Sequence, residues 1–191
     1  MKMRNGFTLV EASLVLGVAG LIFLMAFIAL PALWGKERDA KRRDDVLLFA
    51  QKLKDFQTNN NRGALPGFAN TTDKNAVESG EAAIIARSAD DTSSSTSWNG
   101  FYRDFFTQDF ADPDGTDYKL RVAKCGATKV DTECNSNATN GLYAGSGMNH
   151  LMYVVLGAVC DGNTPKSSSN TRRVAVLYKM ERGDTAFCAN T

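Results

Sequence analysis

Asn5-Gly6-Phe7-Thr8-Leu9-Val10-Glu11 leads into a run from Ala12 to Gly35 that carries no ionisable side chain. Those 24 residues, wound as a helix at about 1.5 Å per residue, are long enough to cross a bilayer core of about 30 Å. Ahead of the run, Met1 to Gly6 holds Lys2 and Arg4 and no acid. Basic residues on that side and a large domain on the other set the N-terminus in the cytoplasm and the remainder outside. Glu11 breaks the pattern. A carboxylate at the head of an apolar span is costly unless it finds a partner.

A secretory signal peptide places its small-residue cleavage site after a short apolar core. Here the small residue, Gly6, precedes the core. A cut after Gly6 leaves the span attached, with Phe7 as the new N-terminus and Glu11 as the fifth residue. In this respect Gly6-Phe7-Thr8-Leu9-Val10-Glu11 resembles the prepilin processing motif of type IV pilins and of type II secretion pseudopilins. The resemblance implies cleavage between Gly6 and Phe7 by a membrane-bound prepilin peptidase and methylation of the Phe7 amine. It also implies pairing of Glu11 with the N-terminal amine of a neighbouring subunit. It is strong over the first 60 or so residues and holds only in outline beyond them.

The chemistry of Glu11 points the same way. In a lone membrane helix the residue is expected to be unpaired or protonated, whereas in a bundle of like helices an adjacent Phe7 ammonium compensates it. A buried pair adds little net stability, but a missing partner is expensive, so the pair acts as a check on register.

The chain has 191 residues and a formal charge of +1. Removal of Lys2 and Arg4 with the leader takes the 22 basic residues to 20 against 21 acids, a net charge of −1. No nucleic-acid footprint is expected from that balance. The expected organisation is a cytoplasmic leader over 1–6, a transmembrane and assembly helix over 7–35, and an extracytoplasmic globular domain over 36–191. Within the last, a helix is expected over 36–58, a variable loop over 59–117 and a sheet over 118–191. The class is α+β. The family resemblance implies the pilin fold: a long N-terminal helix, its first half in the membrane, packed on a roughly four-stranded antiparallel sheet.

Pro31 lies inside the apolar segment and is expected to kink it. Trp34 suits the membrane interface. Lys36 to Asp45 is a mixed-charge stretch read as solvated surface or as contacts between subunits. Val46, Phe49, Leu53 and Phe56, with Ala50, recur at helical spacing and form a core stripe. A short helix is expected over 75–87. Phe101-Tyr102-Arg103-Asp104-Phe105-Phe106 is expected to dock its segment onto the core. Strands are read at 118–124, 151–160 and 172–181, with a turn at Arg182-Gly183-Asp184 into a last strand at 185–189.

Cys125, Cys134, Cys160 and Cys188 all lie in the exported part, and an even number there reads as two disulfides. The favoured pairing is Cys125–Cys134 and Cys160–Cys188. The spacing lacks a Cys-x-x-Cys unit, which disfavours zinc. Asp112, Asp114 and Asp117, with Gly115 between them, offer oxygen ligands for Ca²⁺, with Asp109 as a fourth. The competing reading of Asp112-Pro113-Asp114-Gly115 is a turn. His150, the one histidine, stands beside no nucleophile motif. No phosphate-binding loop is present, so energy for assembly must come from a partner ATPase.

The expected function is that of a structural subunit of a type IV pilus, with no enzymatic activity and no cofactor. Expected partners are further copies of the chain, the prepilin peptidase, an assembly ATPase with its inner-membrane platform, and lipid before assembly. The subunit pool is expected in the cytoplasmic membrane and the filament outside the cell, serving adhesion, twitching motility or DNA uptake. The alternatives are a type II secretion pseudopilin and, in another class, a membrane-anchored exported enzyme or binding protein.

Overall fold

The computed structural model describes residues 8–59, 63–79, 82–88, 91–106, 110–125, 150–181 and 186–191. The chain divides into two compact units, Met1–Arg38 and Asp39–Thr191, a boundary three residues beyond the one expected from composition.

The first unit is helical over its described residues, as the start of α1 (Leu9–Asn59). The helix assignment runs through Pro31. Its most apolar 18 residues have a mean hydropathy of 2.6, and none of that window is buried by protein. Leu9, Phe23, Met25, Phe27 and Ile28 are all exposed. A helix of that length and composition fits a transmembrane helix.

The second unit is an α+β domain. Its elements after α1 are α2 (Thr71–Glu78), β1 (Ala83–Ala86), α3 (Trp98–Phe105), β2 (Lys119–Lys124), β3 (Leu151–Leu156), β4 (Ala158–Asp161), β5 (Thr164–Ser167), β6 (Val174–Lys179) and β7 (Ala186–Asn190). Five strands form one sheet in the order β1-β2-β3-β6-β7, and β4 and β5 form a separate hairpin.

Three expectations change here. Among the described residues the sheet has five strands rather than about four. It is mixed rather than antiparallel, because β2 and β3 run parallel, with Leu120 opposite Met152 and Val122 opposite Val154. The helix expected over 75–87 is instead α2 followed by a strand. Asn70 caps α2 by accepting from the Asp73 N–H at 2.7 Å, so the helix starts early. Ala83–Ala86 then alternates buried and exposed, with Ile85 inside and Ile84 outside, which is the period of a strand edge.

The core stripe of α1 is as expected. Val46, Phe49, Ala50, Leu53 and Phe56 are buried in one cluster with Leu120 and Val122 of β2, Met152 and Val154 of β3, and Val174 and Val176 of β6. The aromatic segment docks on the same cluster. Phe49 stacks on Phe106 at 5.1 Å and meets Phe101 edge-on at 5.8 Å. The opposite sheet face is also covered, because Tyr153, Val155, Ala175 and Leu177 form a second buried cluster with Ala158 of the hairpin. That is why β3 and β6 read as nearly continuous apolar runs.

Gly157 (φ 71°) ends β3 and starts the hairpin, dividing the single strand expected over 151–160. The disulfide Cys160–Cys188 joins β4 to β7 with Cα atoms 5.8 Å apart. Cys125 is also disulfide-bonded; its expected partner Cys134 lies outside the described residues.

Candidate functional site: the head of the apolar helix and the Arg42 network

Glu11 sits in the first turn of α1. Its Oε2 accepts from the Thr8 backbone N–H at 2.9 Å and from Thr8 Oγ1 at 2.9 Å. The Glu11 N–H donates to Thr8 Oγ1 at 3.3 Å. This is a reciprocal capping box, in which Thr8 at the cap and Glu11 three residues on satisfy each other's donors. The expectation that a lone helix leaves Glu11 without a partner is therefore corrected. The Thr-x-x-Glu spacing carried that signal. Thr8 is neutral, however, so its hydrogen bonds leave the charge of Glu11 uncompensated. The expected cut-site residues Gly6 and Phe7 lie outside the described residues.

The second assembly of polar groups is inside the domain. Asp39, Arg42 and Asp45 belong to the stretch expected to be solvated or intersubunit, yet all three are buried. Their positions at 39, 42 and 45/46 continue the stripe of 46, 49, 53 and 56, and that spacing was the missed signal. Arg42 grips Asp112 with two N–H groups, Nε to Oδ2 at 2.8 Å and Nη2 to Oδ1 at 2.9 Å. Its Nη1 reaches Asp39 at 3.3 Å and Glu181 at 3.1 Å. Asp39 Oδ1 also accepts the Glu181 backbone N–H at 2.8 Å. The Tyr178 hydroxyl donates to Asp112 Oδ2 at 2.7 Å and the Tyr118 hydroxyl donates to Asp45 Oδ2 at 2.8 Å. The network thus ties α1 to β6, to the residue before β2 and to the 112–116 turn.

The titration of these groups follows from their surroundings. Burial pushes Asp112 up, but the hydrogen bonds from Arg42 and Tyr178 outweigh it and hold the carboxyl below the usual aspartate range. Burial dominates at Asp45 and raises it, against the pull of the Tyr118 hydroxyl. The hydrogen bond to Asp112 holds the Arg42 guanidinium charged more firmly than usual, against burial. Burial, more than the bonds to Asp45 and Asp112, raises Tyr118 and Tyr178 and keeps both phenols neutral.

The calcium candidates are divided among separate partners. Asp112 is 1% exposed, and both its oxygens are taken by Arg42. Asp117 accepts from Arg87 Nη2 at 3.0 Å and 3.2 Å. Asp114 lies 3.4 Å from His150 Nε2. Asp112, Asp114 and His150 bring ligand atoms within 4.8 Å of one another, while both Asp112 oxygens also accept from Arg42. The Gly115 N–H donates to the Asp112 carbonyl at 2.8 Å, and Gly115 has φ 90°, so the geometry is that of the turn. Asp109 lies outside the described residues. The chain matches no protein-family model, no curated protein and no solved structure.

Proposed function

We propose that this chain is a structural subunit of a type IV pilus. Prepilin peptidase removes the leader after Gly6, the new Phe7 amine is methylated, and the apolar helix carries the subunit from the membrane into the filament. The domain serves as the outer coat. No step calls for catalysis by the chain itself; the assembly ATPase and its membrane platform supply the work.

One observation carries the reading. A helix whose first half is apolar and uncovered bears a single carboxylate in its first turn, five residues after a glycine that follows a basic leader. Thr8 supplies that carboxylate with donors but no countercharge. The acyl core of a bilayer supplies none either, whereas the terminal ammonium of another copy can. A secretion pseudopilin shares these features. The Asp112 turn gives that alternative no added support, because Arg42 and Tyr178 already engage its carboxylate.

The test is Glu11→Val in the native export background. The variant is expected to insert in the membrane and to lose its leader normally, but to yield no sheared filaments. A filament yield equal to that of the unaltered chain would remove Glu11 from assembly and the proposal with it.

A further inference from the structure

Within the second unit, the last turns of α1 and the 170–173 segment border an open groove of about 720 Å³. Three cations line it: Lys54, Arg172 and Arg173. Between them stand the neutral side chains of Gln57, Thr58 and Asn170, and among the described residues no aspartate or glutamate lines the groove.

The walls are fixed by groups other than the cationic heads. Gln57 Nε2 donates to the Arg172 carbonyl at 2.8 Å, which ties the helix to the 170–173 segment. The Arg172 N–H donates to Asn170 Oδ1 at 3.0 Å, and the Arg173 N–H donates to the Asn170 carbonyl at 3.1 Å. Arg173 spends one guanidinium N–H on the main-chain oxygen of Thr191, which also lines the groove, at 3.1 Å. Among the described residues the Arg172 guanidinium and the Lys54 ammonium meet no carboxylate. One cation near the end of α1 is explained by the exposed carbonyls there, which carry roughly half an elementary charge. Three are not, in a domain whose overall charge is close to balanced.

The geometry points to a binding groove for an acidic polysaccharide strand. Arg172, with Arg173 and Lys54, meets the sugar carboxylates, because a guanidinium offers a planar fork to a carboxylate. The Gln57, Thr58 and Asn170 side chains meet ring hydroxyls as both donors and acceptors. The volume exceeds that of a single small anion, and the cations come from two segments, which suits an extended ligand. Single-stranded nucleic acid fits less well, since among the described residues no aromatic ring lines the groove to stack on bases. The inference does not depend on the filament reading, because it concerns only the folded domain.

The experiment measures binding of a fluorescent polygalacturonate oligosaccharide to the full chain in detergent micelles at 0.15 M salt. Saturable binding is expected, weakened about tenfold or more by Arg172→Ala/Arg173→Ala. The charge-retaining Arg172→Lys/Arg173→Lys variant should recover only part of that loss, because an ammonium keeps the charge but lacks the fork, and a thermal melt of each variant checks that it folds. Lys41→Ala/Lys119→Ala, exposed cations elsewhere, should leave binding unchanged. Absence of saturable binding would overturn the inference. So would an equal loss in the Lys41/Lys119 variant, or equal affinity for a single-stranded DNA oligomer of the same charge.

Discussion

Arg42 donates to three carboxylates at once, and two of them, Asp39 and Asp112, are buried. Removing one partner of such a group leaves a charge without compensation inside the domain. Arg42→Ala or Asp112→Ala should therefore destabilise the fold by about 3–5 kcal/mol, read as a shift of the urea midpoint of the full chain in detergent. A double replacement by apolar residues of matching volume should cost much less than the sum, because the net worth of a buried pair is small. The pH dependence has a definite sign. Asp112 titrates below its ordinary value in the folded chain, so its contribution is fully present above the unfolded value of about 3.9 and is lost as pH falls through the folded one. Asp45 is raised, so it opposes folding at neutral pH and that penalty is relieved on acidification. Asp112→Asn should flatten the fall of stability below about pH 4, whereas Asp45→Asn should leave it in place. A urea series between pH 3 and pH 7 reads both.

At the scale of elements, the sheet is stapled to its hairpin by one bond and packed against α1 and α3 on the other face. Reducing Cys160–Cys188, or replacing both cysteines by serine, should cost about 3 kcal/mol, given a separation of 28 residues. α3 is held more tightly still at Gly100, where an added Cβ would stand 2.1 Å from the Ser94 carbonyl oxygen. Gly100→Ala must shift backbone and should lower stability by about 1–3 kcal/mol, seen as an earlier thermal midpoint. The long helix, its stripe at Val46, Phe49, Leu53 and Phe56, the aromatic dock and the Cys160–Cys188 pair were all legible in the sequence, because each rests on local spacing or on compartment. The parallel pairing of β2 with β3 was not, since register between distant segments leaves no local mark. β1 was misread because Ala82, Ile84 and Ile85 fit a short helical stripe as well as a strand edge. Asp39 and Arg42 were hidden by their charge: a mixed-charge stretch reads as surface until the helical phase is extended backward from Val46.

For the whole molecule, the two units raise different demands. The domain buries its own apolar residues on both sheet faces, while the helix over 9–34 leaves Leu, Phe, Ile and Met side chains uncovered. The acyl core of a bilayer would satisfy those side chains and leave the charge of Glu11 unanswered; the proposed bundle of copies would satisfy both. What the N-terminal segment made legible was this mismatch; cleavage after Gly6, which would keep the span attached, belongs to the proposed function. The most direct measurement is electron microscopy of filaments sheared from the cell surface, joined to the intact mass of their dominant protein. Filaments built from a chain that starts at N-methylated Phe7 are expected. A surface without such filaments, with the chain recovered from the membrane only as a monomer starting at Met1, would contradict the proposed function.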